Sequence, residues 1–317
     1  MEENCYLTDQ PPVRYIPGHR TLRNFLAAAL APVGTTLYVY GGGWNRQDTG
    51  ASAQAVTIGQ PAPWRAFFLR QDERYDYRNY RSAPETVCNP FGWAGADCSG
   101  YLGWVVYNTM HSRSGGAGYV RPAVELARAL AERHCYGIWT QRYAPEELRP
   151  GDVVSIPGHV WICLGQCGDG SAVILHSTPS PSVTGRPGGG VQLSGMGERE
   201  NCLAVQLARW YMGQYYPEWS RRYRAVCKSP AAYTKAAGDC SGRFRWSPAV
   251  LSDPDGCPEG ILRWMEKEKL DELPMWEGDR IFLRLLMEGH PFFSLKLCYD
   301  QNGSLSQAVL DGTVLTV

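Results

Sequence analysis

The sequence predicts an α+β fold in which one helix packs against an antiparallel sheet. The helix should begin near Cys98, where the string Asp-Cys-Ser-Gly opens an apolar run that continues to Tyr107. The sheet is predicted from three short apolar segments that follow a Pro-Gly-Asp turn, at residues 153–156, 159–165 and 172–177. Gly and Asp residues between the last two segments suit a hairpin, so these strands should be antiparallel neighbours.

The chain has 317 residues, enough for two domains. We expect an N-terminal arm at residues 1–20, a main domain at 21–219 and a small C-terminal α/β appendage at 220–317. In the main domain, Thr21 is a suitable cap for a helix over residues 21–32. Residues 44–93 show little periodicity, which is typical of an insertion that serves as a lid or binding surface.

The appendage carries no motif with recognisable chemistry. We expect a helix at residues 261–272, followed by strands at 280–287 and 292–299. An Asn-Gly turn should then lead into a last strand at 305–310.

Composition excludes several classes of function. Basic and acidic residues number 31 each, so the formal net charge is zero and nothing indicates nucleic acid or an anionic membrane as a partner. No stretch approaches the ~20 apolar residues that span a bilayer. The apolar run at 25–31 is too short for an export signal, and we expect a helix of the main domain there.

Cysteine usage is typical of a reducing compartment, since the 11 Cys form no even, closely spaced framework. The one close pair, Cys163 and Cys167, lacks two further ligands at zinc spacing. We therefore expect no metal site and no other cofactor.

Cys98 is the candidate nucleophile. The N-terminus of a helix favours a thiolate, which is the reactive form of cysteine. Ser99 and Gly100 leave the first turn uncrowded, so a substrate carbonyl could reach the backbone N–H groups there. The side chains of Cys98, Leu102 and Val105 share one helical face, which should lie toward the sheet.

His159 and His176 are the candidate base and orienting residue. Side chains alternate along a strand, so His159 shares a face with Trp161, and His176 shares a face with Ile174. One hairpin register places both histidines on the same face, which we expect to be the face covered by the Cys98 helix. The arrangement would be nucleophile, base and base-orienting group in series.

Each candidate has a plainer interpretation. A single histidine on a strand is more often structural, and only the pair downstream of a helix-starting cysteine favours catalysis. Cys240 stands in a second Asp-Cys-Ser-Gly string, but no apolar helix follows it and His290 is the one histidine after it. We therefore prefer Cys98 to Cys240.

Five segments, taken in order, resemble elements of the NlpC/p60 family of cell-wall cysteine peptidases, which have a papain-like fold. They are Tyr38 to Gly42, Gly95 to Tyr101, Leu148 to Val154, His159 to Gly165 and Val173 to Ser177. The resemblance covers roughly residues 22–215. The 57 residues between Tyr40 and Cys98 are more than the family leads us to expect.

The resemblance implies hydrolysis of peptidoglycan stem peptides through a thioacyl-enzyme, at a γ-D-glutamyl bond to a diamino acid or L-Lys. It also implies that Tyr40 and Asp97 bind the substrate, with Asp97 facing the free amine of an N-terminal L-alanine. Ser99 in the first helical turn and Trp44 at the start of the insertion complete the predicted substrate site.

Two other functions stay open at this stage. One is an acyltransferase or amidase on the same scaffold, and the other is a non-catalytic module that binds the wall or a partner. The oligomeric state is open as well. The compartment could be the bacterial cytoplasm, or the cell envelope reached through a trimmed or non-standard export signal.

Overall fold

The computed structural model describes residues 14–44, 54–82, 89–235, 240–252, 269, 272–273 and 275–315. Its helices are α1 (Leu22–Leu30), α2 (Ala62–Arg70), α3 (Cys98–Met110), α4 (Ala123–Glu132), α5 (Leu203–Tyr215), α6 (Pro217–Arg222), α7 (Pro230–Tyr233) and α8 (Glu277–Met287). Its strands are β1 (Gly137–Thr140), β2 (Val153–Ile156), β3 (His159–Gln166), β4 (Ala172–Thr178), β5 (Gly190–Met196), β6 (Cys227–Lys228), β7 (Gly242–Trp246), β8 (Leu295–Tyr299), β9 (Leu305–Leu310) and β10 (Thr313–Leu315). The arm before residue 14 and most of the helix predicted at 261–272 lie outside the described residues.

The chain divides into two compact units, Met1–Trp264 and Met265–Val317. The second unit contains α8 and an antiparallel sheet of order β10-β9-β8. Its hairpin between β8 and β9 confirms the strands expected there. The strand expected at 280–287 is wrong, because these residues lie in α8. Their apolar residues follow helical spacing, with Leu285 buried four residues after Ile281.

The first unit is built on a mixed but mainly antiparallel sheet. In the described residues, seven strands follow the order β1-β7-β2-β3-β4-β5-β6, with only β5 and β6 parallel. The predicted hairpin of β3 and β4 is present, with Ile162 opposite Leu175. With eight helices among the described elements, the fold is α+β as expected. None of these helices combines the length and apolar character that crossing a bilayer requires.

The boundary expected between residues 219 and 220 is wrong. Strand β7 lies between β1 and β2, near one end of the main sheet. Its Arg245 donates to both carboxylate oxygens of Asp152, at 2.8 and 2.7 Å, and Asp152 is almost fully buried in the Pro-Gly-Asp turn. A buried carboxylate needs such a partner. The first unit therefore depends on residues that the sequence assigned to the appendage.

The sheet has two unequal faces. On one face, Val160 and Leu175 join a large core that also contains Cys98 and Leu102 of α3. On the other face, Trp161 and its neighbours form a second, smaller core, whose members are Leu148, Val154, Ile156, Cys163, Ala172, Ile174 and Met196. Helices α1, α3, α4 and α5 contribute to the large core, so they cover one side of the sheet. The smaller core is covered by Tyr143 and Tyr233 instead.

Truncation tests the new boundary. A chain that ends at residue 219 lacks β7, so β1 loses its partner strand and Asp152 keeps a buried, unpaired charge. We expect no cooperative thermal unfolding of this chain by circular dichroism. A chain that ends at residue 264 keeps the whole first unit and should unfold cooperatively. A cooperative transition in the shorter chain would contradict the assignment.

Candidate functional site

Cys98 is the first residue of α3, as predicted. Its side chain is only 6% exposed, and it lies where the helix starts against the sheet. The first backbone N–H groups of a helix have no partner within the helix, apart from any side chain that caps them. Here Asp97 caps the N–H of Gly100, which leaves the N–H groups around Cys98 directed at the start of the helix.

The Asp97 carboxylate joins two segments that are far apart in the chain, residues 41–44 and the start of α3. One oxygen accepts from the Gly100 N–H at 2.6 Å and from the Ser99 hydroxyl at 2.8 Å. The other accepts from the Gly41 N–H at 3.1 Å and from the Trp44 indole N–H at 2.9 Å. We call these five residues the Asp97 cluster. Three of the four predicted substrate-binding residues therefore belong to one hydrogen-bonded group.

The Asp97 cluster uses all the acceptor capacity of its carboxylate, since an ionised carboxylate has about four lone-pair sites. Burial raises the pKa of Asp97 to about 6, while its four donors act in the opposite direction. In this structure the carboxylate caps α3 and connects the start of this helix to the turn at Gly41. Its predicted role toward a substrate amine stays a prediction, as does that of Ser99.

Glycines bring the cluster together by close backbone contact. Gly43 has φ +87°, and a Cβ at this position would lie 2.9 Å from the Cα of Gly100. A Cβ on Gly100 would in turn overlap the carbonyl oxygen of Gly42. The Gly-Gly turn therefore fits against the start of α3 only because neither side carries a side chain.

The two predicted histidines meet. His159 Nε2 lies 2.8 Å from His176 Nδ1, and the other nitrogen of His176 lies 3.0 Å from the Ser194 hydroxyl. Ser194 is fully buried on β5, a strand that the sequence analysis missed. The result is a linear hydrogen-bonded chain, His159–His176–Ser194, that leaves His159 Nδ1 as the outer end.

The prediction that the histidines lie on the face of the sheet covered by the Cys98 helix was wrong. Both histidines lie on the side of the sheet with Trp161, whereas the body of α3 packs on the opposite side. The start of α3 contacts both strands that carry the histidines. There the Ser177 hydroxyl donates to the Ala96 carbonyl at 2.7 Å, and the Val160 N–H lies close enough to favour a Cys98 thiolate. In the described residues, the Cys98 sulfur makes no hydrogen bond to either imidazole.

Burial keeps the Cys98 thiol and the His159 imidazole neutral. It raises the pKa of the Cys98 thiol to about 12, and the Asp97 charge acts in the same direction. It lowers the pKa of His159 to about 3, and the Lys228 ammonium lowers it further. At neutral pH the unliganded site therefore holds a thiol and an uncharged imidazole rather than an ion pair.

Tyr233 links the cysteine to the histidines. Its ring centroid lies 5.6 Å from that of His159 and 6.0 Å from that of His176. Burial raises the pKa of Tyr233, and a charge on Cys98 raises it further, so the hydroxyl is within electrostatic range of the sulfur. Sequence reasoning missed Tyr233 because it assigned this segment to the appendage.

Tyr38 is a second residue that sequence reasoning missed. Burial raises its pKa, and the charges of Asp97 and Cys98 raise it further, so its hydroxyl lies near both. The predicted Tyr40, two residues along, is 42% exposed, and its carbonyl accepts from Asn89. Both tyrosines stand in the same Tyr-Val-Tyr string, which offers no physical reason to prefer one over the other.

The described parts of the insertion, residues 54–82 and 89–93 together with Trp44, form an aromatic group beside the cluster. Phe67 contacts the rings of Tyr75, Tyr80 and Trp93 at centroid distances of 5.7, 5.1 and 6.2 Å. Tyr75 also donates to the Tyr38 carbonyl at 2.7 Å. The insertion thus packs against the segment that carries the site.

No protein-family model matches the chain, and no solved structure matches it significantly.

Alkylation tests the protonation state of Cys98. At pH near 7, iodoacetamide should label the exposed Cys135 well before Cys98, because a thiol with a raised pKa supplies little thiolate. The rate at Cys98 should rise with pH and show no plateau below about pH 9. Peptide mapping by mass spectrometry gives both rates in one sample, and a Cys135→Ser chain controls for competition. A plateau below about pH 8 would instead indicate a preformed thiolate–imidazolium pair.

Proposed function

We propose that this chain is a cysteine peptidase with an NlpC/p60-type, papain-like main domain that hydrolyses peptidoglycan stem peptides. Its proposed target is the bond between γ-D-glutamate and a diamino acid or L-Lys. The observation that carries the proposal is the hydrogen-bonded chain His159–His176–Ser194 beside a cysteine at a helix start. His176 lies within hydrogen-bonding distance of His159, as an orienting residue requires, and the Val160 N–H, next to His159 in the chain, lies close to the Cys98 sulfur.

The hydrogen-bonded chain supports a specific tautomer of the base. If His176 Nε2–H donates to the Ser194 hydroxyl oxygen, His176 Nδ1 is an acceptor. His159 Nε2–H then donates to it, and His159 Nδ1 carries a free lone pair. A neutral imidazole in this form accepts a proton at Nδ1, which makes it a general base. The low pKa of both imidazoles agrees with neutral rings.

The proposed reaction uses these residues in turn. As the Cys98 sulfur attacks the peptide carbonyl, its proton moves to His159 Nδ1. The N–H groups at the start of α3 stabilise the oxyanion. His159 then donates that proton to the leaving nitrogen, the C–N bond breaks and a thioester forms. Water, deprotonated by His159, hydrolyses the thioester and returns the thiol.

The proposed substrate rests on the five family-like segments, and their arrangement in space supports it. The turn at 38–42 and the nucleophile segment at 95–101 are far apart in the sequence. The Asp97 cluster joins them directly, through Gly41 and Gly100. The Tyr38 hydroxyl lies near Cys98 as a consequence, and we propose that it contacts the substrate beside the scissile bond.

Replacement of Cys98 by Ala tests the nucleophile. Hydrolysis of a stem tripeptide should fall by at least about 1,000-fold, because no sulfur remains to form the thioester. Liquid chromatography with mass detection measures the free acid and amine, and thereby separates hydrolysis from acyl transfer. The matched control is Cys240→Ala, which changes the cysteine of the second Asp-Cys-Ser-Gly string and should leave the rate unchanged. Equal rates in the parent and the Cys98→Ala chain would refute the proposal.

Replacement of Ser194 by Ala tests the hydrogen-bonded chain. Without the hydroxyl acceptor, His176 loses the group that fixes its tautomer, and kcat should fall roughly tenfold. Ser155→Ala is the matched control. Ser155 is another fully buried strand serine, but its hydroxyl accepts from the Ala127 N–H on α4. If both variants lose stability alike and activity alike, Ser194 has no special role in the site.

A further inference from the structure

Lys228 is a cation beside the site that has no anionic partner in the part of the chain that the structure describes. It ends β6, and its ammonium lies 5.5 Å from the ring centroid of Tyr233. Among the described residues, no carboxylate lies within ion-pair distance of this ammonium, and none accepts a hydrogen bond from it. Glu198 and Glu200 follow β5, the strand that pairs with β6, and both stand exposed in a loop.

The ammonium and the two imidazoles share Tyr233 as a neighbour. The tyrosine ring packs against both imidazoles at 5.6 and 6.0 Å, and the lysine lies over the same ring. The positive charge contributes to the low pKa of His159 and of His176. The cation is therefore part of the electrostatic surroundings of the proposed base.

A lysine in this position is costly for the free protein. Lys228 is partly buried, and burial lowers its pKa. Among the described residues this ammonium has the Tyr233 ring and the Cys227 thiol beside it, and neither offsets the lost hydration as well as a carboxylate would. The unliganded site thus has a cation ready to accept an anion, next to the groups that perform the chemistry.

We propose that Lys228 binds a substrate carboxylate on the leaving-group side of the scissile bond. The inference rests on the proposed function and specifies its substrate. His159 delivers its proton to the leaving nitrogen, so a cation next to the histidines lies closest to the residue that departs. The protein would then prefer a stem peptide whose third residue carries a free C-terminal carboxylate over one that continues or is amidated.

Binding to the non-hydrolysing Cys98→Ala chain tests this preference directly. Three tripeptides are compared by isothermal titration calorimetry: L-Ala-γ-D-Glu-L-Lys, its C-terminal carboxamide, and the analogue with D-isoglutamine in place of D-glutamate. The free acid should bind roughly tenfold more tightly than the C-terminal carboxamide, as expected for one charge-assisted hydrogen bond. The D-isoglutamine analogue should bind like the free acid.

Substitutions of Lys228 in the same Cys98→Ala background identify the residue responsible. Lys228→Met keeps an apolar stem against Tyr233 and should remove the preference, by weakening the free acid about tenfold while leaving the carboxamide unchanged. Lys228→Arg retains the charge and should restore most of the preference. Equal weakening of both peptides by Lys228→Met would show a packing role only and overturn the inference. The inference would also be overturned if the D-isoglutamine analogue bound more weakly than the free acid and Lys228→Met removed that difference. Lys228 would then bind the D-glutamate carboxylate, which lies on the acyl side of the scissile bond.

Turnover by the parent chain separates the two proposals. Suppose that the parent chain hydrolyses the free acid, and that Lys228→Met leaves the ratio of kcat/KM for acid over carboxamide unchanged. This result refutes the role of Lys228 but not the proposed function. A parent chain that hydrolyses none of the three peptides refutes the proposed function, whatever the calorimetry shows.

Discussion

The site depends on one buried carboxylate. Asp97 accepts hydrogen bonds from the Gly-Gly turn, from Trp44 at the edge of the insertion and from the first turn of α3, and so fixes where that helix begins. Its raised pKa shows that ionisation inside the protein is unfavourable. A group with a raised pKa binds its proton more tightly in the folded chain, so ionising Asp97 reduces stability as pH rises from about 4 to about 6. The four donors offset part of that cost, and the same hydrogen bonds fix the position of Cys98, the proposed nucleophile.

The two faces of the main sheet differ in what they carry. The large core on the α3 side supplies the apolar burial that stabilises the first unit. The opposite side carries the histidines, and its smaller core is covered by single side chains instead of long helices. This thinner cover leaves His159 partly exposed while His176 and Ser194 are fully buried. The proposed base thus stays partly accessible, and the two groups that would orient it are excluded from water.

Short sequence patterns correctly predicted the features that depend on neighbouring residues, namely helix caps and strand positions. Thr21 caps α1, α3 begins at Cys98, and β2, β3 and β4 lie within one residue of their predicted bounds. The pairing of the two histidines followed from strand alternation and one hairpin. The face was wrong because alternation gives the relation between side chains but not which side a helix covers. Ser194, Tyr233 and Lys228 were missed because β5, β6 and α7 reach the site through contacts distant in sequence, which no short window contains.

Strand β7 gives the first unit an unusual order of assembly. Strand β1 has β7 as its only hydrogen-bonded neighbour among the described strands, yet about a hundred residues separate them along the chain. During synthesis from the N-terminus, β1 must wait with unpaired backbone groups until residues 242–246 have left the ribosome. One edge of β2 also stays without a hydrogen-bonded partner until then, since β7 is its second neighbouring strand. Pairing at such distance slows folding and prolongs the time in which strand edges can pair with other chains, so this protein should need chaperones most just before its sheet closes.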